Sequence, residues 1–330
     1  MKKPTHRIVC RIPILALALT ASAGTAWAQG AFPSHTIKIV VGSQAGSAPD
    51  VLARVLANEM GPLLGQSVIV DNKAGATGTI GAMAVASSPA DGYTLLMGTV
   101  SNVALAPSFY PVKYDPVSSF TPIGMVASVP LVLVTTPSLQ ATSYAQLQAT
   151  AKLMASPAQL SYSSPGVGGP QHLAGVLLQR QLGVALLHVP YKSGGAATTA
   201  VAAGEVQMAF AGIPAAAGLA QAKKVVPVLV TSRKRSSTMP DVATAVEAGL
   251  PDFEIDNWHA LFAPANLPPA TRATLEAALQ KVLALQTVKD QFQKLGAEAT
   301  PGTGTQLETF VASEARRWAQ VVSDNKLKVE

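Results

Sequence analysis

The chain has 330 residues, with 24 Lys plus Arg against 18 Asp plus Glu and a formal charge of +6. Four of the basic residues (Lys2, Lys3, Arg7 and Arg11) and none of the acidic ones fall within the first 28 positions, which leaves 20 basic and 18 acidic residues, a formal +2, for the rest. A nearly neutral body whose one dense basic cluster is Arg233-Lys234-Arg235, read as a solvated loop, leaves nucleic-acid binding without electrostatic support.

The first 28 residues read as a secretory signal. A basic start, the apolar run 12–19 and the small-x-small triplet Ala26-Trp27-Ala28 predict cleavage after Ala28 and a periplasmic protein. The apolar run is far short of the roughly 18 residues that a spanning helix needs. Cys10, the single cysteine, lies inside this segment with no lipobox before it, so the remaining chain is expected to hold no disulfide and to depend on a hydrophobic core. About 300 residues suffice for one large domain or two smaller ones.

After Pro33 short β-branched runs alternate with Ala-rich helical stretches, the α/β signature. Strands are predicted at 36–41, 68–70 and 94–97, with helices at 50–60 and 79–87. Prolines at 107, 111, 116, 122 and 130 then break the pattern, and this stretch reads as a crossing between domains. A fresh alternation follows. It comprises a strand at 131–134, a helix opened by the capping box Ser143 to Gln146, and strands at 186–189, 206–210 and 226–231. A second proline-rich crossing, 251–269, brackets an apolar strand at 258–263, after which the chain reads as helical, with starts at Pro268-Pro269 and at a capping box of Thr305 and Glu308. Two crossings imply a discontinuous first domain, residues 29–130 and 253–330, around an inserted domain, residues 131–252. The alternative is two consecutive domains. A two-strand hinge of this kind suits closure on a ligand.

Four turns between strand and helix are rich in glycine and small residues: 42–50, 72–78, 163–169 and 191–195. In an open α/β sheet such turns line the crevice at the strand carboxyl ends. The N–H groups of helix starts favour an anion there, and Ser43, Ser47, Ser163 and Ser164 add hydroxyl donors in little volume. One anionic group held by each domain would explain the duplication; the plainer reading is that glycines end strands and permit tight turns.

Other chemistries fit poorly. Gly75, Gly78 and Gly81 are spaced G-x-x-G-x-x-G, which is not the dinucleotide fingerprint, and no G-K-[ST] ends a loop, so no nucleotide cofactor is expected. In Gly42-Ser43-Gln44-Ala45-Gly46 the serine follows the first glycine directly, unlike a G-x-S-x-G elbow. His35, His172, His188 and His259 are scattered, without H-E-x-x-H, so no metal site is expected. His172 near a helix start reads as a structural hydrogen-bonder and His188 as a core residue. Asp50 opens the first helix, where it complements the dipole or accepts a bond from a ligand ammonium or water. Asp256, before Trp258 in the second crossing, has the same two readings and could face the cleft.

Several blocks then carry a resemblance: 46–54 ending Asp-x-x-Ala-Arg, 64–81 with its Val-Asp-Asn-Lys-Ala-Gly-Ala-Thr-Gly core, Pro89-Ala90-Asp91-Gly92-Tyr93-Thr94-Leu95, Tyr114-Asp115-Pro116 with Phe120-Thr121-Pro122-Ile123, His188-Val189-Pro190-Tyr191-Lys192, Pro240-Asp241 through Glu247-Ala248-Gly249, and Trp258 with 263–268. With these in order, the chain resembles the Bug-type receptors of the tripartite tricarboxylate transporter group along essentially all of its mature length. The resemblance implies a Venus-flytrap receptor of the type II periplasmic class, holding its ligand between domains through backbone amides, hydroxyls and waters. Carried over by position, the implied contacts are Ser43, Gln44, Ala45, Gly46, Ser47 and Asp50 on the first loop, Ser163, Ser164, Gly166 and Gly168 with His172 on the third, and Tyr191 with Lys192. The family's ligands are mostly small carboxylates: dicarboxylates, citrate, acidic amino acids, and aromatic acids such as nicotinate. This chain departs from the pattern at Ser43 and at Gly46-Ser47, where the family usually has an aromatic and then a Gly-Gly pair. Val176 replaces a common Glu, Ser193 a common Gly and Gln207 a common Asp.

Three readings follow: a monomeric transport receptor delivering a carboxylate to a membrane permease, a sensory receptor docking on a membrane signalling protein, and an enzyme, a hydrolase or isomerase, supported only by the Ser- and Gly-rich loops and His172. The first leads, without catalysis or cofactor.

Overall fold

A computed structural model describes residues 32–154, 160–251 and 253–327. The expected signal segment lies outside the described residues, as does position 252, the expected domain boundary. Eleven strands form two sheets among the described residues.

The first sheet has the order β11-β4-β10-β3-β1-β2. Strand β1 (Ile37–Val41) runs parallel to β2 (Val68–Asn72) and β3 (Thr94–Thr99), joined through helices α1 (Ala48–Leu64) and α2 (Thr79–Ala86). Beyond β3 the sheet turns antiparallel, with β10 (His259–Pro264) between β3 and β4 (Phe120–Ser128), and the two-residue β11 (Glu298–Ala299) at the edge. All six residues of β10 are buried, as an apolar central strand requires. Helices α7 (Pro269–Ala284), α8 (Gln286–Lys294) and α9 (Gly304–Asp324) complete this body.

The second sheet has the order β7-β6-β8-β5-β9. Its strands are β5 (Leu131–Thr135), β6 (Leu160–Ser164), β7 (Leu186–Pro190), β8 (Met208–Gly212) and β9 (Val226–Val230). Between them run α3 (Tyr144–Met154), α4 (Pro170–Leu182), α5 (Gly194–Ala203) and α6 (Ile213–Gln221).

The stretch expected to be a proline-broken crossing contains β4, a nine-residue strand at the heart of the first sheet. Pro122 is tolerated because it pairs with Phe262 where the register shifts, so that its missing N–H costs the ladder no bond. The first crossing is thereby reduced to Val129 and Pro130. The second returns along 253–258, and the two are bridged antiparallel at Pro130 and Asp256. Asn257 N–H donates to the Val129 carbonyl (3.3 Å). Thr231 Oγ1 accepts from Leu131 N–H (2.9 Å) and donates to the Ile255 carbonyl (2.6 Å), tying the end of β9 and the start of β5 to the returning strand.

Two smaller differences are local. Helix α9 is capped by Thr303 with Gln306, not by the Thr305 and Glu308 pair two residues on. Starting at 304 also places Gly304 against Arg272 and the Pro122 carbonyl, where a Cβ would clash. At α3 half of the expected box forms: Ser143 Oγ accepts from Gln146 N–H (3.3 Å), while Gln146 Oε1 accepts from the amide of Thr142 (2.8 Å).

Candidate functional site

A cleft of about 460 Å³ opens at the carboxyl ends of β1 and β3, and it continues into a second hollow of about 250 Å³ against the loop after β6. Thr77, Ser101 and Asn257 line both parts. The first body contributes Gly42, Ser43, Gln44, Gly75 and Gly78, and the second contributes Pro165, Gly166, Val167 and Gln171. The cleft therefore lies between the two sheets.

The first loop is built by a carboxylate that does not line the cleft. Asp50, buried in the first turn of α1, accepts from Gly46 N–H (2.9 Å), Asn72 Nδ2 (2.9 Å) and Arg54, whose guanidinium reaches both carboxylate oxygens at 3.0 Å. Burial pushes this carboxyl up, but the bonds from Arg54, Gly46 and Asn72 outweigh it and hold it below the usual carboxylate range. Asn72 also donates to the Ser43 carbonyl (3.0 Å), locking the start of the second loop to the first. Ser47 stands at the N-cap position of α1 but its hydroxyl bonds back into the loop, to Ser43 Oγ and to the Gln44 carbonyl, both at 2.6 Å. Ala45 and Gly46 are exposed at the tip.

Loops one and two touch backbone to backbone. A Cβ on Gly42 would stand 2.7 Å from the Gly78 Cα and carbonyl, and one on Gly81 would stand 3.0 Å from the Gly42 Cα. The G-x-x-G-x-x-G spacing thus serves close packing of α2 on the first loop. Between these glycines Ala76 (φ 45°) and Thr77 (φ 56°) are held left-handed, a conformation that costs a residue with a Cβ about 1 kcal/mol. Thr77 Oγ1 rests 3.0 Å from the Tyr110 hydroxyl.

In the second body the expected contacts mostly support the loop from beneath. Ser163 is fully buried and donates to the Ala197 carbonyl (2.8 Å). Ser164 Oγ meets His188 Nε2 (2.7 Å), accepts from Gly166 N–H (3.1 Å) and donates to the Gly166 carbonyl (2.9 Å). Gly168 N–H donates to His172 Nδ1 (3.3 Å), which requires that nitrogen to be unprotonated. Burial, with the neighbouring His188, lowers the His172 pKa to about 4, so the ring is neutral at ordinary pH. Gly166 lines the cleft. Tyr191 and Lys192 are not among the lining residues; Tyr191 N–H donates to the Ser164 carbonyl (2.8 Å) and its hydroxyl to Glu205 (3.0 Å).

Asp256 stands apart from the cleft. It sits in the hinge, where Oδ1 accepts from Val129 N–H (2.9 Å), and it lines a separate hollow of about 380 Å³ with Arg233, Glu254, Phe310, Glu314 and Arg317. Its neighbour Asn257 is the residue that reaches the cleft.

The floor was not anticipated by the sequence reading. It is made by Thr99 at the end of β3, by Ser101 and Asn102 just after it, and by Asn257 before and His259 on β10, brought together because His259 pairs with Thr99 across the sheet. Burial lowers the His259 pKa to about 4, against the opposing pull of the Asn257 backbone, and its Nδ1 makes no hydrogen bond of good geometry. Among the described residues no Lys, Arg, Asp or Glu lines either part of the cleft. Helices α1, α2 and α4 instead reach the cleft at their N-termini, through Pro49, Gly78 and Gly169, and bring the partial positive charge of the helix dipole to its wall. Such a site accepts an anion without a formal counter-charge.

A family model described as tripartite tricarboxylate transporter family receptor matches residues 52–327. The chain belongs to this family. It is 35% identical over 304 residues to the protein BugT of Bordetella pertussis, covering 91% of this chain and 92% of that one. The solved structure of the periplasmic binding protein BugD is similar with a TM-score of 0.74 at 32% identity, covering 90% of this chain and all of that one. An R. palustris protein, Rpa4515, solved with adipate, gives a TM-score of 0.76 at 31% identity with the same coverage. The receptor family and these neighbours are periplasmic solute-binding proteins of two-domain α/β fold, not enzymes. Among the described residues there is no cluster of three or more His, Cys, Asp or Glu able to hold a metal, and no helix long and apolar enough to cross a membrane.

Proposed function

We propose that this receptor captures a small carboxylate, such as a di- or tricarboxylate, an acidic amino acid or an aromatic acid, in the cleft between its two bodies and delivers it to a membrane permease. The observation that supports this most is the lining: three helix N-termini and neutral N–H, hydroxyl and amide groups converge with no charged side chain among the described residues. The adipate held by a related receptor is a ligand of this class.

In this reading Ser43, Gln44, Gly166, Thr77 and Ser101 touch the ligand. Asp50, Ser47, Ser163, Ser164, Gly168 and His172 hold the loops that do so, and Tyr191 and Lys192 are met on closure. The chain is secreted, cleaved after Ala28 and monomeric, and its moving bodies meet at the hinge strands near positions 130 and 253. Closure is a population shift, since a ligand touching both bodies stabilises the closed form by the contacts it gains there.

The test is thermal unfolding of residues 29–330, refolded and dialysed free of ligand, against mono-, di- and tricarboxylates, acidic amino acids and aromatic acids. A ligand at about 100 times its Kd adds roughly 2.7 kcal/mol of stability and raises Tm selectively. A flat panel with verified refolding would overturn the carboxylate reading.

A further inference from the structure

We propose that Asn102 is a specificity-determining residue of the cleft, a fixed amide donor that selects a ligand oxygen and rejects an ammonium at the floor between the first two loops. The proposal rests on the carboxylate reading above and names the group that the floor requires.

The orientation of the carboxamide follows from its partners. Asn102 Oδ1 lies 2.7 Å from Thr99 N and 3.2 Å from Thr99 Oγ1. A backbone N–H can only donate, so the atom facing it must be the oxygen, and the NH₂ group is turned to the other side. The residue cannot swing away, because its own N–H donates to Thr99 Oγ1 (3.2 Å) and its carbonyl accepts from the Tyr114 hydroxyl, with Asn102 itself 2% exposed.

Nδ2 has no protein partner among the described residues, and Asn102 lines the cleft. It faces the seam where the two loops meet: a Cβ built on Gly42 would stand 3.1 Å from Nδ2, and one built on Gly78 3.2 Å. Both positions are glycine, so no side chain of either loop covers the donor. Nδ2 opens onto the cleft and is not sealed from water, so the acceptor a ligand brings replaces water at a donor whose direction is already fixed. A carboxylate oxygen does this best, since a charge-assisted bond is stronger than a neutral one. An ammonium at the same place would set donor against donor. The nearest carboxylate of the first loop, Asp50, is already committed to Arg54, Asn72 and Gly46.

Calorimetric titration with matched pairs that differ by one amino group tests this: succinate against aspartate, glutarate against glutamate, and adipate against 2-aminoadipate. The wild-type protein should bind the unsubstituted member of its preferred pair about tenfold more tightly or better. Asn102→Asp keeps the acceptor for Thr99 and the side-chain shape but replaces the donor with an anionic oxygen, so the ratio within the pair should collapse or invert. Asn102→Ala, with folding followed by Tm, should lose the preference without inverting it. A wild type that binds the amino member as tightly or more tightly overturns the assignment without any variant. Either folded variant binding with an unchanged ratio overturns it too, and leaves the carboxylate reading standing. No binding to wild type by any member of the panel overturns that reading and this inference with it.

Discussion

Asp50, which is buried, and Asp256, which is half-buried, meet desolvation in opposite ways. Asp50 is ringed by donors and is held ionised. Asp256 has bonds from the Val129 amide and Ser128 but also faces Glu314 and Glu254, while burial pushes its pKa up to about 6. An acid whose folded pKa lies above its unfolded 3.8 binds more protons in the folded state. Its contribution is fully present below about pH 3.8 and is lost as pH rises through about 6. Asp256→Asn, which retains the acceptor for Val129, should therefore stabilise the protein by about 2 kcal/mol at pH 7.5 and leave it unchanged at pH 4. His172 and His259, with pKa values lowered to about 4, run the other way: their neutral burial stabilises fully above pH 6.5 and that stability is lost as pH falls toward 4. Both proteins share the histidines, so the difference between their urea midpoints isolates Asp256. An equal gain at both pH values would show that charge is not the cause.

At the scale of elements, departures from the family pattern have local structural roles. Gln207 Oε1 accepts from the amide and the hydroxyl of Ser161, both at 2.9 Å, and so clamps β6 onto the strand beside it. Ser193 caps α5, with Oγ accepting from Ala196 N–H (3.2 Å). Ser193→Ala should cost about 1 kcal/mol, whereas Ser193→Gly, the residue common in the family, should cost only a few tenths. Urea unfolding of the two variants distinguishes a cap from a mere loop residue, for which the two would be alike. The βα alternation and the small-residue turns were legible because period, glycine and serine are local signals. Strand β4 was not, since Pro122 within it and Pro116 and Pro130 on either side argue against a strand, and only the irregular pairing of Pro122 with Phe262 makes one possible. The cleft floor was hidden for a related reason: nothing near Asn102 or His259 in sequence shows that β10 returns from 160 residues away to lie against β3. Asp50, Ser163, Ser164 and His172 lie beside the cleft, yet their side chains point into the supporting bonds, a distinction that only packing reveals.

For the molecule as a whole, the chain leaves the first sheet through β4, builds the second, and returns through β10, so two central antiparallel strands both end at the hinge. Beneath it Glu314 accepts from the indoles of Trp258 (3.2 Å) and Trp318 (2.9 Å), both fully buried, which fastens α9 under the returning strand. The bodies share one buried apolar cluster and Gly296 packs against Pro214, while polar contacts between them include exposed ones, Arg180 with Asp324 at 3.9 Å and Gln293 with Ser237 at 3.2 Å. Bonds of that kind are worth little and permit the bodies to rotate. On the proposed function, closure is carried by the two crossing strands near positions 130 and 256, with the bonded loops of the cleft walls moving as parts of their bodies. Small-angle X-ray scattering of the ligand-free protein, and again with the carboxylate that raises Tm most, tests this directly. The account predicts a smaller radius of gyration at saturation and no change with a carboxylate that does not raise Tm. Saturating binding with unchanged scattering would contradict capture by closure.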